Sequence, residues 1–322
     1  MKILVIFTGG TIGSRYSGDY ISPDGDRPYL VLDKYIQLYG NNVEWSTDNP
    51  YTILSENLTC KTLFELLRAV RKGLNGGYDG IIVTHGSDTL QYSAAFLSLM
   101  LRRISIPVIL VAGNYVLEDS RSNGMDNFRF AVDFIEHNYG KGVFVSYKNT
   151  DENPRIYSGS NLMPHPMYSD RLESLGNSCF GEYICSKDNI KFIFGNDAKT
   201  PKVCDFEITA KAQALAEEDE KTHVLNIYAC PGMTYPDIEN DTKAVLLHPY
   251  HSGTICVESA ELHKFMEDAE KKQVKVYLVG ANQEKEYESC KAYNELGIKV
   301  LPEVSPVYAY LRLWLTRGKW LI

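Results

Sequence analysis

The sequence lacks the features that mark membrane, secreted and nucleic-acid-binding proteins. No stretch approaches the ~20 consecutive apolar residues that span a bilayer. The apolar run after Met1 and Lys2 is too short for a signal-peptide core. Lysine and arginine number 33 against 41 aspartate and glutamate, a formal net charge of −8, and no basic cluster offsets this balance. We therefore expect a cytoplasmic protein with a small-molecule substrate and without nucleic-acid or membrane partners.

The sequence also has little that would bind a metal or a cofactor. Its seven cysteines include no Cys-x-x-Cys pair, which predicts reduced thiols in the core rather than disulfides or zinc. His248 and His251 flank Pro249 and cannot share a helical face, so no metal site is predicted. A dinucleotide turn with Asp33 as the ribose acid is excluded, because Thr11 stands where Gly-x-Gly-x-x-Gly needs its second glycine.

The length and composition predict a globular protein of two domains. The 322 residues exceed the usual size of a single hydrophobic core, and 44% apolar with 23% charged residues is ordinary for globular chains. A polar and charged stretch divides the chain. We predict a larger domain over 1–195, a linker over 196–222 and a smaller domain over 223–322.

Hydrophobic periodicity predicts strands that alternate with helices, which is typical of an α/β fold with a mostly parallel sheet in the larger domain and a smaller α/β domain after it. The predicted strands are 3–7, one ending within 51–58, 80–83, 107–112, 142–147, 223–229, 244–248, 274–279 and 297–301. The predicted helices are 60–74, 88–101, 123–137, 210–216, 262–272 and 287–296.

Two apolar strands run directly into glycines and hydroxyl side chains. The first ends in Thr-Gly-Gly-Thr-Ile-Gly at residues 8–13, and the second in Thr-His-Gly-Ser-Asp-Thr-Leu at residues 84–90. Ligands of open α/β sheets bind outside the carboxyl ends of the strands, so these hydroxyls are candidates for one site. The first stretch taken alone also suits a tight turn with a capping threonine.

In this order and spacing, the two stretches resemble the two signatures of the bacterial-type L-asparaginase family, nearest to its cytoplasmic type. The resemblance implies a larger amino-terminal domain with a mostly parallel sheet and a smaller carboxyl-terminal domain. It also implies a homodimer or homotetramer and no cofactor. The implied reaction is hydrolysis of a side-chain amide, most simply L-asparagine to L-aspartate and ammonia.

The resemblance assigns catalytic roles to residues of both signatures. Thr11 is the implied nucleophile, and Tyr20, in a glycine-containing loop, is the implied hydrogen-bond partner that activates it; Tyr16 is the weaker candidate. Ser87 is expected to position a second hydroxyl or a water. Backbone N–H groups around Gly10, Thr11 and Ser87 are expected to hold the oxyanion.

Further residues are expected to bind the substrate. Asp88, which the resemblance also counts among the catalytic residues, falls near the start of a predicted helix. There the dipole keeps a carboxylate ionised and suited to an ammonium group, although a capping aspartate has the same pattern. Ser55 and Glu56 fall where the family places a pair that grips the amino-acid end of the substrate, and a helix cap is the alternative. Gly10 and Gly86 are predicted to line the same site.

The chain departs from the family at four positions: Glu56 replaces glutamine, Pro164 lysine, Thr254 asparagine and Val307 glutamate. His165 follows Pro164 and is a candidate proton relay, because histidine titrates near neutral pH; a surface histidine beside prolines is the alternative. Three functions stay open: an asparaginase, an amidohydrolase acting on another amide, and a protein that binds an amino acid without turnover.

Overall fold

The computed structural model describes residues 1–18, 20–23, 29–186, 189–199, 208–281 and 287–320. The chain divides into two compact units, Met1–Val203 and Cys204–Ile322. The predicted linker, 196–222, contains two short helices on either side of residues that lie outside the described ranges.

An eight-stranded sheet forms the centre of the first unit among the described residues. The strands of this unit are β1 Lys2–Phe7, β2 Ser14–Ser17, β3 Tyr20–Pro23, β4 Glu44–Asp48, β5 Gly80–Thr84, β6 Pro107–Val111, β7 Gly142–Tyr147, β8 Arg155–Ser158, β9 Gly181–Cys185 and β10 Ile190–Phe194. The sheet order is β10-β9-β8-β7-β6-β5-β1-β4. The strands β7, β6, β5, β1 and β4 pair in parallel, whereas β8, β9 and β10 add to the β7 edge by antiparallel pairing. β2 and β3 form a separate hairpin.

Helices cover both faces of this sheet. They are α1 Leu30–Tyr39, α2 Cys60–Leu74, α3 Leu90–Met100, α4 Gly124–Glu136 and the short α5 Asn196–Lys199. Ile3 and Val5 pack in one core with residues of α1 and α4, whereas Leu4 lies on the opposite face against Gly73 of α2. Burial on both faces explains why β1, β5 and β6 are continuous apolar runs rather than alternating ones.

The second unit contains a smaller parallel sheet. Its strands are β11 Val224–Tyr228, β12 Ala244–His248, β13 Lys275–Leu278 and β14 Lys299–Val300, in that order across the sheet. Its helices are α6 Ala210–Glu218, α7 Ala260–Lys271, α8 Lys291–Glu295 and α9 Pro306–Leu315. The predicted α/β fold class is therefore confirmed. No helix within the described ranges is long and apolar enough to cross a membrane.

Several local predictions were wrong. The strand expected to end within 51–58 lies earlier, at β4, because residues 51–58 form only a bridge at Ile53 and a 3-10 turn at Ser55–Asn57. The six described cysteines are free, but they are half-buried or exposed rather than in the core. Three of them, Cys185, Cys230 and Cys256, lie at strand ends or in loops, where a small thiol needs no apolar shell.

Candidate active site

The two signature stretches meet because their strands are neighbours. β1 and β5 pair in parallel, with Phe7 opposite Thr84, so their carboxyl ends lie at the same edge of the sheet. Thr8 extends the pairing, since its backbone N–H and its hydroxyl both donate to the Thr84 carbonyl, at 3.3 and 2.7 Å. Gly9 and Gly10 follow immediately, and the chain then turns through a 3-10 turn at Thr11–Gly13.

Gly10 and Gly86 form the closest contact between the two loops. A Cβ atom on Gly10 would lie 2.3 Å from the backbone nitrogen of Gly86, far inside any real contact distance. Gly10 also has a φ of 77°, in the left-handed region that favours glycine. Only glycine therefore allows this backbone to approach the second loop and to turn Thr11 toward the edge of the sheet.

The carbonyl and the N–H group of Gly10 are both engaged. The carbonyl accepts hydrogen bonds from the Gly13 N–H, at 3.0 Å, and from the Ser14 hydroxyl, at 2.7 Å. The Gly10 N–H donates to the Ile53 carbonyl at 3.1 Å. The Gly10 N–H therefore maintains the loop, and the expectation that N–H groups around Gly10, Thr11 and Ser87 hold the oxyanion stays a prediction. Thr11, which is half-buried, directly follows Gly10 in the chain.

Ser55 reaches the same place from a third loop. It begins the 3-10 turn before α2, is 6% exposed, and its Oγ lies where a Cβ atom on Gly86 would clash, at 2.4 Å. The Ser55 hydroxyl donates to Asp88 Oδ2 at a long 3.4 Å, and the Ser55 carbonyl accepts from the Thr89 hydroxyl at 2.9 Å. The structure thus brings together Gly10, Gly86, Ser55 and Asp88, all four predicted from sequence.

Ser87 and Asp88 lie just before α3 rather than within it. The helix begins at Leu90, two residues later than predicted, because the residue at its amino-terminal cap, Thr89, uses its hydroxyl on Ser55 instead of on the helix. The Leu90 N–H donates to the Ser87 carbonyl, and the Gln91 side chain donates to the Asp88 carbonyl. The Ser87 side chain is half-buried and that of Asp88 is exposed, so both remain accessible to a substrate.

His85 is a buried residue of the second signature to which the sequence analysis gave no role. Its Nδ1 lies 2.8 Å from the Gly86 carbonyl, and its Nε2 lies 2.8 Å from the Ser93 hydroxyl. A carbonyl can only accept, so Nδ1 carries the proton and Nε2 accepts from Ser93. Burial lowers the pKa of His85, which keeps the ring neutral. His85 thereby ties the Gly86 turn to α3. The sequence signal that could have indicated this role is the position of His85 inside the second signature.

Besides Asp88, two predicted site residues are exposed in this structure. Tyr20 lies on β3, opposite Ser17, and its side chain is 78% exposed. Glu56 is exposed on the 3-10 turn that begins with Ser55. The hairpin that carries Tyr20 contacts the turn of Thr11, but the hydrogen bond expected between these two residues stays a prediction. Tyr16, the weaker candidate, bonds Asp119 instead.

His165 is half-buried, and its ring is oriented by the backbone. Its Nδ1 lies 3.0 Å from the Arg171 carbonyl, while its Nε2 is buried from solvent and has no hydrogen-bond partner. Burial lowers the pKa of His165, and the charges of Asp88, Asp170 and Glu173 oppose that effect. The simple surface histidine left open by the sequence does not describe this environment.

The remaining sequence candidates lie in the second unit. His248 is buried at the end of β12, stacks on Tyr228 at 4.0 Å between ring centroids, and lies 2.5 Å from Asn226 through Nε2. Burial lowers the pKa of His248 to about 4. Within the described ranges, no group of three or more His, Cys, Asp or Glu side chains is arranged to hold a metal ion. Thr254 is half-buried in a turn, and Val307 is buried near the start of α9.

Comparison with known families decides the identity of this arrangement. The family model described as "Asparaginase, N-terminal" matches residues 2–183, more than half of the chain. The chain belongs to the asparaginase family. The matched span contains both signatures, the Ser55 turn and the His165 loop, so every predicted site residue of the first unit lies inside it. The family predicted from the two signatures is confirmed.

Relatives in sequence include an asparaginase and part of an amidotransferase. The L-asparaginase of Thermococcus kodakarensis is 25% identical over 266 residues, which cover 79% of this chain and 73% of the relative. One subunit of the glutamyl-tRNA(Gln) amidotransferase of Saccharolobus solfataricus is 31% identical over 237 residues. That match covers 72% of this chain but 51% of the relative, so the chain spans about half the length of this subunit. This asparaginase-family chain is an amidohydrolase.

Solved structures show the same fold over nearly the whole chain. The thermostable L-asparaginase of Thermococcus kodakarensis superposes with a TM-score of 0.75 at 21% identity, covering 99% of this chain and 93% of that one. L-asparaginase I of Vibrio cholerae gives a TM-score of 0.74 at 20% identity, covering 100% and 94%. At such identities the likeness establishes the asparaginase fold, and the reaction must be argued from the site.

Proposed function

We propose that this protein hydrolyses the side-chain amide of an amino acid, most simply L-asparagine to L-aspartate and ammonia, with Thr11 as the nucleophile. The observation that carries the proposal is the contact between Gly10 and Gly86, which places the two hydroxyl-bearing loops against each other. Ser55 completes the cluster from a third loop, beside Asp88. A hydroxyl, a second hydroxyl and a carboxylate at one edge of the sheet are the groups that amide hydrolysis needs.

The reaction proceeds through two proton-coupled steps. The Thr11 Oγ forms a bond to the amide carbon and loses its proton, and the carbon–nitrogen bond breaks as ammonia leaves with that proton. A water then attacks the ester, its proton passes back to the Thr11 oxygen, and the acid is released. A threonine hydroxyl is a weak nucleophile without such proton transfer. Tyr20 is the proposed hydrogen-bond partner of Thr11, with Ser87 positioning the water.

Oxyanion stabilisation falls to the backbone of the two turns. Since the Gly10 N–H is bonded to Ile53, the proposed donors are the N–H groups of Thr11 and Ser87. Each such donor is worth ~3 kcal/mol to the transition state when it is preorganised. The hydrogen bonds that converge on the Gly10 carbonyl and those that fix the Gly86 turn through His85 supply that preorganisation.

Asp88 and Ser55 are proposed to hold the amino-acid end of the substrate, together with Glu56. An exposed carboxylate beside a hydroxyl suits an ammonium group, and Glu56 follows Ser55 on the same turn. The protein is proposed to act as a homodimer or homotetramer in the cytoplasm, without a cofactor. Its partner is a small amide or amino acid.

A panel of amides tests the proposal. Ammonia release should be measured with L-asparagine, L-glutamine, their deaminated analogues and simple aliphatic amides, and binding should be followed by calorimetry for each compound. Turnover of L-asparagine above all others is expected. Turnover of a different amide supports the second candidate, which the kinship with an amidotransferase subunit and the departures at Pro164, Thr254 and Val307 favour. Binding of an amino acid without any ammonia release contradicts both.

Glu56 supplies a separate prediction about the substrate amine. Glu56→Gln removes one negative charge near the ammonium group, and an exposed pair of charges contributes about 0.2–1 kcal/mol. The KM for L-asparagine is therefore expected to rise about two- to fivefold, while the KM for the analogue without the amine stays unchanged. Glu136→Gln, an exposed change of the same charge at the end of α4, is the matched control. An equal KM effect on both compounds would show that Glu56 does not face the amine.

A further inference from the structure

The loop between Gly159 and Ser174 carries no lysine, although the family resemblance leads one to expect a cation at Pro164. The arginines nearest to it are both held by acids. Arg171 contacts Glu152 at 2.5 Å, and Arg155 contacts Glu182 at 3.3 Å. Both guanidinium groups are therefore engaged by glutamates of their own surroundings. His165, one residue after Pro164, is the remaining titratable base of the loop.

The loop is anchored to the edge of the sheet where the site lies. Asn149, just beyond β7, donates to the Leu172 carbonyl at 3.1 Å and accepts from the Leu172 N–H at 2.8 Å. Tyr147, the last residue of β7, donates to the Asp170 carbonyl at 2.9 Å. Because β7 is parallel to β5 and β1, these anchors bring the loop to the edge that carries the two signatures.

The His165 ring has one defined tautomer and one unused acceptor. The Arg171 carbonyl can only accept, so Nδ1 carries the proton, and the second nitrogen, Nε2, is a bare lone pair. That atom is buried and has no hydrogen-bond partner. A buried acceptor without a partner destabilises the folded protein, so its presence calls for a functional explanation.

Three carboxylates act on the His165 ring, and the cationic Arg171 of the same loop is paired with Glu152 and Glu173. Asp88 acts on the ring from the loop after β5, and Asp170 and Glu173 act on it from its own loop. Each carboxylate stabilises an imidazolium and so raises the pKa of His165, whereas burial lowers it more strongly. The net pKa lies below the ordinary histidine value of 6.5. The ring is therefore a neutral base at pH 7, and the imidazolium formed by proton uptake is stabilised by Asp88.

We propose that His165 is the proton relay of the Ser87–Asp88 half of the site, taking the place of the lysine that this chain lacks. The inference rests on the proposed amide hydrolysis. When water attacks the threonine ester, its oxygen bonds to the carbonyl carbon and its proton passes, through Ser87, to Nε2 of His165. The imidazolium, opposite Asp88, then returns that proton as the ester bond breaks and the Thr11 hydroxyl re-forms. No proton is gained or lost over the cycle.

The pH profile of ammonia release tests the relay. Wild-type activity is expected to fall on acidification below pH 6.5, as Nε2 becomes protonated, and kcat in His165→Ala is expected to fall about 10² to 10⁴-fold and lose that acid limb. Asp170→Asn removes a charge that favours the imidazolium, so it should lower the pKa and move the limb to lower pH. His137→Ala is the matched control, since His137 also bonds a backbone carbonyl through Nδ1 but is 50% exposed. An unchanged limb in His165→Ala overturns the proposal.

A second measurement does not depend on turnover or on the stability of the alanine variant. The ring resonances of His165 in the wild-type protein, followed by NMR against pH, should show an Nδ1–H tautomer that titrates below 6.5. In Asp88→Asn the pKa should be lower still. If the Asp88 change leaves the His165 titration where it was, the two groups are not coupled and the relay is wrong. This result stands even if no amide is hydrolysed, a finding that would instead overturn the proposed function.

Discussion

Thr11→Ala is expected to abolish ammonia release while leaving the fold and the unfolding temperature close to those of the wild type. The proposed reaction passes through a bond between the Thr11 oxygen and the substrate, and no water attack on the bound amide is as well aligned. Loss of a nucleophile that acts as a unit with its base costs up to ~10⁶ in kcat in well-studied hydrolases. A loss of roughly 10³-fold or more is therefore expected, with substrate binding by calorimetry retained.

The matched variant is Thr11→Ser, which keeps the hydroxyl and removes only a methyl group. It should retain measurable turnover and accumulate an acyl-enzyme detectable by mass spectrometry when the reaction is quenched. Thr11 is half-buried at the start of a 3-10 turn, so neither change removes a large buried surface. Ammonia release at the wild-type rate by Thr11→Ala would exclude this residue as the nucleophile.

Gly10→Ala is expected to damage both stability and activity, because the new Cβ atom has no room. It would lie 2.3 Å from the nitrogen and 2.4 Å from the Cα atom of Gly86. One of the two loops must then retreat by roughly 1 Å, a displacement that can cost ~10² in rate at an active site. The positive φ at Gly10 adds strain of about 1–3 kcal/mol for a residue with a side chain. Unfolding free energies from denaturant titration and kcat should both fall.

Gly13→Ala provides the control within the same turn. No heavy atom lies within 4 Å of a Cβ atom built on Gly13, and its backbone is not in the left-handed region. This change should leave the free energy of unfolding within about 0.5 kcal/mol and activity within about twofold of the wild type. Equal behaviour of the Gly10 and Gly13 variants would contradict the contact between the two signature loops.

The departures from the family pattern fall on residues that differ in burial. Glu56 is exposed, Val307 is buried and Thr254 is half-buried. Glu56 is proposed to bind the substrate amine, and Pro164 stands where the family has the lysine of the proton relay. We therefore expect this amidohydrolase to differ from its asparaginase relatives in recognition of the amine and in proton transfer. The Thr11 turn, which carries the proposed nucleophile, matches the family signature.

The sequence by itself determined the fold class, the family and the central parallel strands of the first unit with the helices α2, α3 and α4. β7 and the helix α2 lie at the predicted residues. The apolar run of the strand, the helical spacing of apolar residues in α2 and its Thr59 cap are signals that can be read from neighbouring residues alone. The helix α1, the hairpin of β2 and β3, and the strands β8, β9 and β10 were not predicted, and β4 lies earlier than the strand expected within 51–58. The strands among them are short, and their pairing depends on partners that local periodicity does not register.

The same distinction applies to the site. The motifs alone indicated Thr11, Gly10, Gly86 and Ser87 as candidate site residues, since glycines and hydroxyls at the ends of strands are signals that can be read locally. Only the tertiary structure decided which groups these loops meet: the Gly10 N–H is used by Ile53, the Ser55 hydroxyl approaches Asp88, and Nε2 of His165 is buried without a partner. Burial and hydrogen-bond partners arise from residues distant in sequence, brought together by the order of strands in the sheet, and no local pattern encodes them.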